Sequence, residues 1–304
     1  MKVTVVIPVY NVERYLARCI DSVLAAAERL AAAGHSAEVI CVDDGSTDGS
    51  AKVLSGYDGR VRIVAKENGG LGSARNAGLA AMTGDFVTFV DSDDFIPPNA
   101  LSRFAEVASA SDSALVASTS FAIDAMPVSG RGGWKVRPAA WIAGKKVQYS
   151  ACNKLYRADL VRNRPFPKGA YEDFSWTTGV FCDVGTFAAV DEPLYVYCRN
   201  AGATSIVRSA FTMGKMRDSL AAVRRVLEHV DADAAPEIVA FARRQAADGL
   251  SSTVGQVYKA GAPELSAAFL TEMDDLLADA PFLRRQLTFK ARFRRWRMTS
   301  QNMI

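Results

Sequence analysis

Asp91-Ser92-Asp93-Asp94 sets two carboxylates two residues apart where the apolar run Phe86 to Val90 ends. Hard oxygen ligands of this kind suit Mg²⁺ or Mn²⁺, ions that also hold the oxygens of a diphosphate. A metal there would stabilise the charge growing on a departing diphosphate. The alternative is an acidic turn with no ligand. Asp43 and Asp44 follow another apolar run and either accept from a base imide N–H and a ribose hydroxyl or close an Asp-Gly turn capped by Ser46. Arg75 follows a glycine-rich loop on the first turn of a helix, a natural place for a phosphate contact and equally for a surface arginine. Glu172-Asp173 heads an apolar segment, where acidic side chains favour a helix N-terminus.

These residues need a scaffold, and the apolar pattern supplies one. Val3 to Pro8 predicts a strand buried on both faces, followed by a helix capped by Asn11 whose apolar positions (Val12, Tyr15, Leu16, Cys19, Ile20, Val23, Leu24, Leu30) recur at three- and four-residue spacing. Glu38 to Val42 predicts a second strand, Ser46 the cap of a short helix toward Leu54, and Val61 to Lys66 a third strand. A helix from Ser73 to Met82, stopped by Gly84, leads into the strand Asp85 to Val90. Strand and helix alternating at this spacing specify a doubly wound, mainly parallel α/β sheet. Ligands of such sheets bind beyond the carboxyl ends of the strands, and the polar clusters at 8–11, 43–46, 66–70 and 91–94 all follow strands.

Further on, Pro97 and Pro98 start a helix to about Ser109, and Ala114 to Thr119 reads as a strand. Ser129 to Gly144 reads as an irregular loop, Lys154 to Asn163 and Tyr171 to Cys182 as helices, and Phe187 to Cys198 as two short strands about Pro193. From Met213 the pattern is helical to the end.

Composition narrows the function. The 304 residues suffice for one large core with an appendage. No apolar run approaches the roughly 20 residues of a membrane span, and the N-terminal run has no small-residue cleavage site, so it is expected to be the first strand. Five cysteines without a C-x-x-C pair suggest neither a disulfide framework nor a thiolate zinc site, in keeping with a reducing cytoplasm. Two histidines leave little material for a hydrolase triad.

Four blocks in order, VVIPVYN (5–11), VDDGSTDGS (42–50), ENGGLGSARNAGL (67–79) and GDFVTFVDSDDFI (84–96), resemble the family 2 glycosyltransferases in spacing and residue type. The resemblance covers about the first hundred residues closely. It implies a GT-A fold, a nucleotide-diphosphate sugar donor, UDP-linked by preference, a divalent metal (Mn²⁺ or Mg²⁺), and inversion at the anomeric carbon. By that likeness Pro8, Val9, Tyr10 and Asn11 border the nucleotide, Asp43 and Asp44 read base and ribose, Asn68 and Gly70 belong to the nucleotide-sugar site, and Arg75 lies near the diphosphate. Asp91, Ser92 and Asp93 would contact ribose, phosphates and metal, with Asp93 and Asp91 as its ligands. Glu172-Asp173 resembles the family's acidic pair, Asp173 as the base that takes the acceptor hydroxyl proton and Glu172 beside it. Weaker likenesses at Asn153-Lys154-Leu155-Tyr156 and Leu194 to Arg199 bring Arg199 toward the diphosphate, although Asn200 stands where the family often carries further arginines.

The implied organisation is a GT-A domain over 1–205, nucleotide-sugar binding in 1–100 and acceptor side in 101–205, then a helical region over 206–304. The acceptor class is a glycan, a lipid-linked saccharide or a cell-wall or capsule polysaccharide. A non-catalytic nucleotide-sugar or polysaccharide binder on the same fold is the alternative. A dehydrogenase would need its glycine fingerprint at the first turn, where Pro8-Val9-Tyr10-Asn11 stands instead.

The net charge of +3 is unevenly distributed: seven basic residues and no acidic one lie between Arg284 and Arg297, leaving the rest net acidic. With Phe282, Phe289, Phe293 and Trp296 interleaved, 282–298 is expected to form a basic amphipathic helix that contacts an anionic membrane surface rather than nucleic acid, or to pack with a solvated face. The expected location is the cytoplasm, peripheral to the inner face of the membrane.

Overall fold

Every residue of the first strand beyond Lys2 is buried, because it has a parallel neighbour on each edge and carries apolar side chains on both faces. The computed structural model describes residues 1–127, 131–142, 149–199, 210–229 and 234–301. The chain forms two units, Met1–Lys168 with Asp183–Ala203, and Gly169–Cys182 with Thr204–Ile304.

The first unit opens β1 (Lys2–Val9), α1 (Glu13–Ala32), β2 (Ser36–Asp43), α2 (Ser50–Ser55), β3 (Arg62–Ala65), α3 (Leu71–Ala81) and β4 (Phe86–Phe89). It continues with α4 (Ala100–Ser111), β5 (Leu115–Ser118), β6 (Ala122–Ile123), β7 (Trp134–Pro138), β8 (Lys154–Arg157) and α5 (Ala158–Val161). α6 (Glu172–Val184) begins in the second unit, and β9 (Thr186–Val190) and β10 (Val196–Tyr197) return to the first. The main sheet has the order β3-β2-β1-β4-β8-β5-β9-β7. Its β3-β2-β1-β4 half is wholly parallel; β8 runs antiparallel to both β4 and β5, and β7 antiparallel to β9. β5 and β9 are parallel again, so the sheet is mainly parallel, as expected, with antiparallel pairings made by β8 and β7.

The α1 stripe buries Leu16, Cys19, Ile20, Val23 and Leu30 of the positions read from the sequence, and Ala26 besides, while Val12, Tyr15 and Leu24 are only half-buried at its margins. α3 lies so close to the sheet that a Cβ at Gly78 would overlap the Val6 side chain.

Several local expectations are corrected. Asn11 does not cap α1: it adopts φ 52°, Val12 stands at the cap position, and the helix starts at Glu13. Ser46 does not cap α2, whose cap position is Gly49. The two helix starts serve each other instead. Val12 N donates to Ser50 Oγ at 3.0 Å and Glu13 N to Asp48 Oδ2 at 3.1 Å, while Gly49 N donates to Glu13 Oε2 at 2.7 Å. Lys154 to Arg157 is a strand and only Ala158–Val161 is helical, because ladder partners on both edges outweigh an ambiguous apolar spacing. The segment taken as an irregular loop contains β7 and a 3₁₀ turn at Ala139–Ile142; residues 128–130 and 143–148 lie outside the described set. α3 starts at Leu71, which moves Arg75 to the second turn.

The second unit holds the start of α6 with α7 (Met213–Leu227), α8 (Pro236–Ala260), α9 (Pro263–Asp279), α10 (Leu283–Gln286) and α11 (Phe289–Gln301). Proline opens α8 and α9, and Gly261 in the left-handed region ends α8. Residues 169–182 thus group with the C-terminal helices rather than with the sheet unit. No helix among the described residues is long and apolar enough to cross a membrane.

Candidate functional site

Four parallel neighbours, β3, β2, β1 and β4, end along one edge of the sheet, so the loops after them are adjacent by construction. Hydrogen bonds join the loops after β1, β2 and β3, and the loop after β4 is tied to α1, α3 and the segment around Tyr195. After β1, Asn11 Oδ1 accepts from Thr47 N at 2.8 Å and Asp48 N at 3.3 Å, a contact available only because the chain turns through positive φ at Asn11. Pro8 and Val9 are buried within the strand, whereas Tyr10 exposes its ring at this edge.

After β2, Asp43 Oδ1 accepts from Ser46 N at 2.9 Å, the turn expected of Asp-Gly chemistry. Asp44 is 2% exposed, and its carboxylate gathers the next loop: Lys66 Nζ at 2.5 Å, Gly70 N at 2.8 Å and Gly69 N at 3.1 Å. Asn68 is exposed on that loop, and its amide nitrogen would lie 2.9 Å from a Cβ at Gly45, which explains the glycine there.

After β4 comes the acidic tip. Arg75 is buried to 1% exposure beneath it, donates from Nη2 to Asp91 Oδ1 at 2.9 Å, and lies 5.4 Å from the centroid of the Phe166 ring. The surface-arginine alternative is thereby removed. Ser92 is buried and Asp93 half-buried, with Arg18 Nη2 donating to the Asp93 carbonyl at 2.9 Å. Asp94 points inward, accepting from Tyr195 Oη at 2.6 Å and Cys198 N at 2.8 Å. Burial, reinforced by the neighbouring Asp91 charge, pushes the Asp94 carboxyl up to about 8 despite those donors. Two residues past Tyr197, Arg199 is exposed and forms a two-nitrogen fork on Asp124 Oδ2 at 2.8 and 2.7 Å, with Asp124 in the left-handed region.

The structure thus brings the residues around 8–11, 43–46, 66–70 and 91–94 to one end of neighbouring strands, with Arg75 paired to Asp91. Sequence reasoning placed Lys66 in the 66–70 cluster and Tyr195 in the Leu194-to-Arg199 likeness without giving either a role, and missed Arg18 and Phe166. Lys66 directly follows β3 and had a positional signal; Arg18 acts on Asp93 from 75 residues away and Phe166 on Arg75 from the far side of β8, with no local signal for either.

Glu172 and Asp173 open α6 in the second unit. Glu172 is 3% exposed and Asp173 half-buried. The turn before them uses Gly169 at φ 97° and Tyr171 at φ 62°, and Asp218 Oδ2 of α7 accepts from Ala170 N at 2.9 Å. A non-glycine side chain at positive φ is costly and here is held by the Tyr171 hydroxyl, 3.3 Å from Gln256 Oε1 of α8. Two acidic side chains on the first turn also complement the helix dipole.

The carboxylates offer hard oxygens to a divalent ion, yet no three His, Cys, Asp or Glu side chains among the described residues form a metal-holding group. An ion would be held by the Asp91 and Asp93 pair and completed by phosphate oxygens and water, the usual arrangement for Mg²⁺. A separate concavity of about 380 Å³, lined by Ser111, Ala114, Arg157 and Thr186, opens where β5 and β9 begin, away from this edge.

Comparison with known proteins places this geometry. The family described as glycosyl transferase family 2 matches residues 4–195. Glycosyltransferase GlyA of Streptococcus pneumoniae is 46% identical over 98 residues, which are 31% of this chain and 13% of that protein. Glycosyltransferase GlyG of the same organism is 27% identical over 244 residues, covering 71% of this chain and 76% of its own. TarS of S. aureus superposes with a TM-score of 0.71 at 19% identity, over 98% of this chain and 54% of TarS. Its 1–349 portion in complex with UDP-GlcNAc gives 0.64 at 20% identity, with 100% and 92% covered. The mixed sheet and appended helices are those of the GT-A architecture. Matched over more than half of its length, this chain belongs to glycosyl transferase family 2.

Proposed function

We propose that the protein is an inverting glycosyltransferase that moves a sugar from a nucleotide-diphosphate donor, UDP-linked, to a hydroxyl of a glycan, a lipid-linked saccharide or a cell-wall or capsule polysaccharide. The observation that carries the reading is that Asn11, Asp43, Asp44, Asp91 and Asp93 follow neighbouring parallel strands at one end of the sheet, with Arg75 paired to Asp91. Such an arrangement matches a ligand with a base at one end and a diphosphate at the other. The UDP-GlcNAc bound to TarS supports the choice of nucleotide.

In this reading Tyr10 and Asn11, with Asp43, border the base and ribose, and Asp44 shapes the wall that presents Asn68 and Gly70. Asp93 and Asp91 would hold a Mn²⁺ or Mg²⁺ ion, which when bound would offset the charge on the leaving diphosphate. Arg75 acts through Asp91, fixing the carboxylate from below, and Ser92 sits between the two ligands. Arg199, on its fork with Asp124, faces the donor phosphates. Asp173 removes the acceptor hydroxyl proton as the new glycosidic bond forms and the C–O bond to the diphosphate breaks, with Glu172 beside it. The enzyme works at the cytoplasmic face of the membrane, where a lipid-linked acceptor would be met.

Thermal-shift titration with UDP-, GDP-, CDP- and dTDP-sugars, with and without Mn²⁺, tests the donor assignment: a metal-dependent rise with UDP-sugars alone is expected. Asp173→Asn should abolish transfer and keep that shift; near-normal turnover removes Asp173 from the role. Donor binding by the wild type without turnover on glycan and lipid-linked acceptors would favour the binding-protein alternative.

A further inference from the structure

Within the second unit, the large hydrophobic side chains exposed among the described residues are Phe293 and Trp296, and both lie on α11. Their rings are 5.8 Å apart. The opposite face of the helix is already committed: Ala291 and Met298 are 2% exposed, Arg295 pairs with Asp274 of α9, and the Arg294 guanidinium lies 5.5 Å from the Tyr258 ring centroid of α8. α11 is therefore packed on the helical unit along one side. What remains to explain is why two large aromatics occupy the outward side.

The positions of the charges answer this. At about 100° per residue, the midpoint between Phe293 and Trp296 lies about 180° round the helix from the midpoint between Ala291 and Met298. Arg292 falls about 70° to one side of the aromatic pair and Arg297 about 70° to the other, with Lys290 just beyond Arg297. All three are exposed, as are Arg284 and Arg285 at α10, and no acidic residue occurs from 284 to 297. Aromatic rings at the centre of an outward face, with cations on both flanks, are what a helix lying in the plane of an anionic bilayer surface presents. The rings enter the headgroup boundary and the guanidinium groups remain among the lipid phosphates. A nucleic-acid duplex would match the charge and, with its bases already stacked, leave the paired rings without a purpose.

We propose that α11 docks the protein on anionic lipid through Phe293 and Trp296, with Lys290, Arg292 and Arg297 on the headgroups. This deepens the proposed membrane-side location by naming the surface, and it rests on that reading only for the place where the acceptor is met. The test measures attachment rather than transfer, so either reading can fail alone.

The full chain is sedimented with vesicles of phosphatidylcholine alone and of phosphatidylcholine with about one third phosphatidylglycerol, alongside Phe293→Ser/Trp296→Ser and Arg292→Glu/Arg297→Glu. Circular dichroism and Tm confirm that each variant is folded, and transfer to a soluble acceptor is followed in parallel. The expected result is salt-sensitive binding to the anionic vesicles only, reduced about tenfold or more in both variants, with unchanged soluble transfer. No binding by the wild type overturns the proposal, as does undiminished binding by the folded Phe293→Ser/Trp296→Ser variant. Tighter binding to a duplex oligonucleotide than to anionic vesicles also overturns it.

Discussion

Tyr195 joins the acidic tip to the segment that precedes Arg199: its hydroxyl donates to Asp94 Oδ2 at 2.6 Å and accepts from Asp91 N at 3.2 Å. The third carboxylate of Asp91-Ser92-Asp93-Asp94 is thus turned into the protein, where Cys198 N completes its shell. Tyr195→Phe leaves a buried carboxylate oxygen and the Asp91 amide short of a partner. The expected cost is about 1–3 kcal/mol, read as a lower urea midpoint, together with several-fold weaker donor binding as the tip loosens.

Arg75 provides a sharper case. Arg75→Ala leaves the Asp91 carboxylate, one-third exposed, without the guanidinium that holds it, and the expected cost is about 1–3 kcal/mol, below that of a fully buried pair because water reaches the carboxylate. Arg75→Lys keeps the charge and loses the planar group over Phe166. That variant should fold, melt a few degrees lower, and lose more metal-dependent donor affinity than stability. Equal donor titration curves for Arg75→Lys and wild type would show that Arg75 does not orient the tip.

Gly78→Ala tests the approach of α3 to the sheet. The added methyl overlaps Val6 on β1, a strand with no room to yield, and overpacking of this kind costs about 1–3 kcal/mol. Thermal unfolding should report a lower Tm, partly restored by Val6→Ala in the same chain.

Glu38 sets a pH dependence far from the site. Burial disfavours its charge, but bonds from the Thr4 hydroxyl and from the amide and hydroxyl of Thr83, with Lys2 nearby, outweigh burial and hold the carboxyl at about 2. A folded pKa below the unfolded one stabilises the protein above about pH 4.5, and that contribution is lost as pH falls toward 2. Glu38→Gln should therefore be less stable than wild type at pH 7, by about 1 kcal/mol once solvent screening of this partly exposed group is allowed for, and the difference should vanish near pH 2. A difference that persists there would mean that lost packing, not charge, is responsible.

Legibility in the sequence followed the range of the interactions. The β1-to-β4 half was readable because each strand and helix carries its own period, and the ligand edge follows from strand polarity alone. Asn11 and Ser46 were misread as caps because the groups that satisfy the first amides of α1 come from Asp48 and Ser50, more than thirty residues onward. Lys154 to Arg157 was misread because four residues cannot display a period, and their strand character is imposed by β4 and β5 on either edge. Asp94 gave no hint that it faces inward, since its partners lie about a hundred residues away.

The placement of β8 also dictates the order in which the sheet can be assembled. β3, β2, β1 and β4 are all present once Phe89 has been made, so their pairing can be completed while the rest of the chain is still being synthesised. β5 follows soon after in sequence but has no place beside β4; its seat is created by Lys154 to Arg157, some forty residues later. The newborn chain must hold Leu115 to Ser118 in waiting, an apolar segment that pairs only after a later one has arrived.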